Sequence, residues 1–172
     1  MLPLISSAGL LVEMGGVYLS DTANAEANST STKNFYDVGI LFNWNKKLWA
    51  GWGYMSVNTN DRGEEKISFA GQDTGPMLKW QFGRSKMYSI TGAFNILAQA
   101  TYTKDGEVEK WRGFSYYGAF AVMPEVADNF RIGAAVNYYS GQYSKKTVDG
   151  EETTDRNSKT WIFPTLLLTK SW

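Results

Sequence analysis

The sequence predicts an all-β fold: an eight-stranded antiparallel up-and-down transmembrane β-barrel, formed by residues 1–172 as one domain. Three observations carry that expectation. Short segments alternate apolar and polar side chains, charge is swept out of those segments, and aromatic residues collect at both of their ends. No run approaches the ~18 apolar residues of a spanning helix, so a chain that crosses a bilayer here crosses it as strands.

The eight segments are 10–19, 35–44, 48–57, 73–82, 88–102, 114–123, 130–141 and 161–172. Each supplies at least roughly the ~9–11 residues that a tilted strand needs to cross a bilayer. In 88–102, Tyr88, Ile90, Gly92, Phe94, Ile96, Ala98, Ala100 and Tyr102 share one face, opposite Ser89, Thr91, Ala93, Asn95, Leu97, Gln99 and Thr101. In 35–44 the apolar face is Tyr36, Val38, Ile40, Phe42 and Trp44; in 130–141 it is Phe130, Ile132, Ala134, Val136 and Tyr138.

The links between segments alternate in length. Asp21 to Lys33 and Thr59 to Glu65 are long and polar, whereas Asn45-Lys46-Lys47 and Gly83-Arg84-Ser85-Lys86 are short. Asp105-Gly106 and Asp149-Gly150 carry the Asp-Gly signature of a tight hairpin. Alternating long and short links fit an up-and-down barrel with one elaborated rim.

Charge placement separates a membrane barrel from a soluble one. Of 34 charged residues only six fall in the predicted strands: Glu13, Asp37, Asp73, Lys79, Arg131 and Lys170. All but Lys170 avoid the apolar face, as a lipid-facing surface requires, since a cation costs ~2–4 kcal/mol near the midplane. The opposite face is small and polar, with Gly51, Gly53, Ser89, Asn95, Ser115 and Asn137 among its residues. That composition suits a narrow, filled lumen. Glu13, Asp37, Lys79 and Arg131 point inward on this register and form a candidate lumen charge network, with Glu13 and Lys79 at similar depth.

Outward aromatics form two girdles. Trp44, Trp80, Phe82, Tyr88, Phe130 and Trp172 lie near the short-turn rim; Tyr18, Tyr36, Tyr54, Tyr102, Tyr116, Tyr138 and Trp161 lie near the other.

Composition removes most chemistry. The chain has no cysteine and no histidine, hence no thiolate site, no Cys nucleophile and no imidazole base or ligand. Net charge is zero, which gives no electrostatic reason to expect nucleic acid. The apolar start precedes the first basic residue, Lys33, and so reads as mature sequence behind an added Met1. The acids Asp149, Glu151, Glu152 and Asp155 read as a solvated loop, because Lys145, Lys146 and Arg156 lie among them. No cofactor or metal is expected.

The whole chain resembles the small outer-membrane barrels typified by the OmpA transmembrane domain, OmpX and OmpW. In that class the last strand ends in an aromatic residue preceded by apolar residues at alternate positions, which the assembly machinery reads. Leu166, Leu168 and Trp172, with Ile162 and Pro164, match the pattern; Lys170 departs from it and would snorkel to the interface. Pro76 and Pro164 must each mark a bulge or a strand end. The enzymes of this class imply a His-Ser or His-Asp-Ser site, which a chain without histidine cannot supply.

A lumen too narrow and filled for a pore, long polar loops on one rim, and the resemblance together lead to the expectation of a non-enzymatic monomer in the bacterial outer membrane, in contact with its lipid and assembly machinery, presenting loops outward. Two alternatives stand beside it. One is lateral passage of small apolar molecules as in OmpW-like barrels, which Pro76, Pro164 and inward Leu41, Met55, Met77 and Leu97 would favour. The other is a soluble lipocalin-like carrier.

Overall fold

Backbone hydrogen bonding closes the predicted segments into a ring. The computed structural model describes residues 9–23, 29–45, 47–62, 66–148 and 150–172. Its strands are β1 (Leu10–Ala23), β2 (Ser29–Asn43), β3 (Leu48–Arg62), β4 (Lys66–Phe82), β5 (Tyr88–Lys104), β6 (Glu107–Val122), β7 (Glu125–Ala127), β8 (Phe130–Val148) and β9 (Glu151–Ser171). Each long strand pairs antiparallel with the next, β6 pairs β8 past the three-residue β7, and β9 returns to β1. The barrel wall is therefore eight strands in up-and-down order.

The strands run well beyond the apolar alternation, which corrects the expectation of long loops on one rim. Thr32 partners Asn60, Asp61 partners Ile67, and Lys146 partners Thr153, so the polar stretches are largely ladder. Cross-strand hydrogen bonding needs no apolar face, and runs such as Thr30-Ser31-Thr32 contain the β-branched residues strands favour. Asp105 and Gly106 turn in two residues, both at positive φ (49° and 97°), as the Asp-Gly signature predicts. The tips at 24–28 and 63–65, and the Asp149 of the second Asp-Gly pair, lie outside the described residues. On the opposite rim, Gly83, Ser85 and Lys86 take positive φ in a tight turn between β4 and β5.

A β-bulge overturns part of the predicted face assignment. Asn95 partners Ser115 and Ala98 partners Gly113, so β5 carries one extra residue at Ile96-Leu97 against β6, and the register against β4 shifts as well. Beyond it the faces exchange. Leu97 turns outward at 55% exposure, while Ala98 and Ala100 are buried in the lumen and Tyr102 packs against the buried cluster. Pro76 lies where the β4–β5 register breaks, between Thr74 and Met77, so the missing donor coincides with a bulge.

The outer wall exposes Ile40, Phe42, Trp52, Ile90, Phe94 and Val136, among other large apolar side chains. A continuous apolar belt of this kind rules out the soluble-carrier alternative. Below it stack Trp80, Phe82 and Tyr88, with centroids 4.7 and 5.8 Å apart; above it Tyr36 meets Tyr54 at 6.1 Å. Trp161, expected in the upper girdle, instead packs inward over Tyr139 and Phe69.

Candidate functional site

The lumen is fuller and bulkier than its small polar residues suggest. Leu11, Leu41, Met55, Met77 and Tyr139 are fully buried in it beside Lys79, Glu13, Asn95 and Asn137. Glycines make room for them. A Cβ at Gly53 would come within 2.5 Å of the Met77 methyl, and one at Gly39 within 2.9 Å of its sulfur. The small residues are therefore sockets for larger neighbours.

Its polar groups form three clusters. Lys79 Nζ pairs with the Glu13 carboxylate and lies 3.3 Å from Thr91 Oγ1. Asp37 sits beside this pair, its Oδ1 only 2.2 Å from where a Gly15 Cβ would be. Neither Asp37 oxygen has a hydrogen-bond partner among the described residues. Arg131 does not join them. It turns to the short-turn rim, where it donates to the Ser85 carbonyl at 2.5 Å and the Lys86 carbonyl at 3.1 Å, and pairs with Glu125. Positive φ at Ser85 and Lys86 exposes those carbonyls to it.

A second cluster escaped the sequence reading. Asp73 Oδ2 accepts from Ser115 Oγ and Tyr139 OH, both at 2.6 Å; Asn95 donates to Ser115 at 2.8 Å, and the Tyr139 and Tyr143 hydroxyls are 3.0 Å apart. Asp73 was visible as an inward carboxylate, but its partners lie on β6 and β8, beyond any local spacing. In the third cluster, Asn137 accepts from Tyr117 OH at 2.8 Å and donates to the Phe163 carbonyl at 3.0 Å and Thr165 at 2.9 Å. These contacts fix side chains in place. The hydroxyls that Asp73 holds, Ser115 and Tyr139, are shut away from solvent together with it, at 0%, 0% and 1% exposure, and among the described residues no group of three acids converges on a metal position.

The wall is least complete between β1 and β9. Their ladder runs only from Leu11, opposite Ser171, to Gly16, opposite Leu166, although both strands continue outward. Pro164 accounts for where it stops. Trp172 N–H donates to Leu10 across this seam and Ser171 N–H donates to Asn129 on the other side. N–H groups alternate sides along a strand, so Pro164 falls among the positions that face β1 and brings no donor. Above that point lies a cavity of about 110 Å³ lined by Val17, Leu19, Lys33, Phe35, Trp161 and Phe163, with Ile162 on the outer side.

Along the closing strand, Leu166, Leu168 and Trp172 point outward to the lipid face. Lys170 reaches the rim, donating to the Asp128 carbonyl at 2.9 Å with its ammonium 6.0 Å from the Trp172 ring centroid. In the outer hairpins Glu152 accepts from Lys145 at 2.8 Å, and Lys146 pairs with Glu109. The Lys145 contact holds the Glu152 carboxyl below the usual range, and Glu109 holds Lys146 above its own.

No family model matches the sequence, and no curated protein matches it. Solved structures do match the fold. Neisserial surface protein A (NspA) superposes with a TM-score of 0.54 at 10% identity, over 95% of this chain and 96% of that one. The β domain of the Bordetella autotransporter BrkA superposes with a TM-score of 0.50 at 11% identity, over 92% of this chain and 68% of that one. At this identity the likeness is one of fold: the chain has the fold of the small outer-membrane β-barrels.

Proposed function

We propose that the chain is a non-enzymatic, monomeric barrel of the bacterial outer membrane, an anchor that holds its four polar hairpins outside the cell as a surface for a partner. The observation that supports this reading is the packed lumen. Lys79, Met55, Met77, Asn137 and Tyr139 are all buried inside the barrel, at 0–1% exposure, and their bulk opposes an aqueous path for solutes. In this reading both termini and the short turns face the periplasm, and the assembly machinery engages the last strand through Leu166, Leu168 and Trp172. Glu13, Asp37 and Lys79 serve as a structural charge cluster, and Arg131 ties the periplasmic turn.

Two measurements test it. In planar bilayers the folded barrel is expected to give no single-channel conductance. On intact cells a membrane-impermeant thiol reagent is expected to label Gly106→Cys and Gly150→Cys but not Lys86→Cys. Steady ion conductance, or labelling at position 86 alone, would end this reading.

The β1–β9 seam specifically favours a second reading, lateral passage of a small apolar molecule from the outer mouth into the bilayer. Leu97, turned outward by the β5 bulge, takes no part in such a route.

A further inference from the structure

We infer that the β1–β9 seam is a binding site for a single-chain anionic amphiphile, a long-chain carboxylate whose head stays in the barrel mouth while its chain leaves sideways. This inference rests on the lateral reading and gives it a ligand and a place. The floor of the cavity is closed: Phe35 packs on Phe163 with centroids 4.5 Å apart and stacks on Tyr117 at 5.9 Å. A molecule entering from the mouth therefore cannot continue down the lumen. The open direction is the wall, where Pro164 has ended the ladder and Ile162, 73% exposed, stands on the lipid side.

Charge selects the head group. Lys33 lines the cavity, and the Lys159 ammonium lies 5.5 Å from the ring centroid of Trp161, which lines it too. Neither lysine has an acidic partner among the described residues. Both occupy positions of the lumen-facing register, in line with Phe35 and Phe163. They thus offer charge to a head group inside the mouth and not to one held in the leaflet. A bilayer lipid, whose several chains keep its head at the leaflet surface, does not fit that arrangement; a free single-chain molecule does. Size agrees. At about 110 Å³ the cavity is smaller than the ~150 Å³ apolar cavity that admits benzene, so it takes a stretch of one chain in single file.

The test uses the full barrel in nanodiscs of zwitterionic phospholipid. Hexadecanoate with a nitroxide on its chain is the probe, and broadening of the Val17 and Leu19 methyl signals is the readout. Saturable broadening is expected, competed by unlabelled hexadecanoate. Lys33→Gln with Lys159→Gln should weaken the carboxylate by about tenfold or more, the worth of one charge-assisted hydrogen bond, and leave hexadecanol almost unchanged. Pro164→Val restores the missing donor and should weaken both probes. Heat-modifiable mobility in SDS confirms that each variant is folded. Broadening that does not saturate, or equal loss of acid and alcohol in the lysine variant, would overturn the site. Flux assays in proteoliposomes separate it from the passage reading. Binding without flux keeps the site and ends passage; flux without methyl broadening ends the site and leaves passage to another route.

Discussion

Glu13 and Lys79 stand 66 positions apart in the chain and meet as an ion pair inside the lumen, their side chains 1% and 0% exposed. Burial at this level makes the pair valuable only as a pair. Coulombic attraction offsets the desolvation of two charges, and removing one partner leaves the other's cost uncompensated.

Single substitutions should therefore be severe. Glu13→Gln or Lys79→Met is expected to cost ~3–5 kcal/mol of unfolding free energy in bilayers. The double variant should lose less than the two singles added together. A double-mutant cycle measured by urea unfolding reads the coupling directly, and strict additivity would contradict it. Arg131→Met should show no coupling to Glu13, because its partners are Glu125 and the carbonyls of Ser85 and Lys86.

The β5 bulge makes a prediction that simple alternation reverses. A nitroxide placed at Leu97 should be broadened by lipid-soluble oxygen, whereas one at Ala98 should be shielded. Unbroken alternation from Tyr88 would give the opposite result. On the lipid face proper, Val136→Arg is expected to cost ~2–4 kcal/mol if that residue lies near the midplane.

The outer hairpins should respond to pH independently of the barrel. Glu152 has a lowered carboxyl pKa, so its contribution is present above the ordinary value of 4.5 and is lost as pH falls through the lowered one. Lys146 has a raised pKa, so its contribution is present below the ordinary 10.5 and is lost only as pH rises through the raised value. Both side chains are solvated, so salt should weaken both effects. Chemical-shift titration of the β8–β9 tip should show an acid transition below the normal glutamate range while the Met77 and Leu41 methyl signals stay put. Concerted movement of both sets would show that tip and barrel unfold as one.

Much of the barrel was legible because lipid and lumen impose opposite demands on alternate residues. Tyr36, Ile40 and Phe42 against Phe35, Asp37 and Leu41 read correctly for that reason. The same logic went silent where both faces are wet. The ladder joining Ser31 to Asp61 looks like loop in composition, since backbone pairing leaves no hydrophobic period. A bulge defeats alternation altogether: Leu97 and Ala98 exchange faces with no signal in their own segment, only Gly75-Pro76 on the facing strand. Arg131 was correctly read as inward, but its destination depended on a left-handed turn at Ser85 and Lys86. Tyr139 and Ser115 could not be assigned to Asp73 before the register of β4, β6 and β8 was known.

The short β1–β9 ladder also sets the order in which the barrel forms. Every other long-strand ladder joins strands consecutive along the chain, apart from the small β7, and can zip from a nearby turn. This one joins residues 11–16 to residues 166–171, so its loop-closure entropy is that of nearly the whole chain. It therefore carries the largest closure cost and is expected to form last, with six partner pairs where β1–β2 has fourteen. Disassembly should run the same course backwards, with the cylinder parting at its two chain ends and unrolling as a sheet.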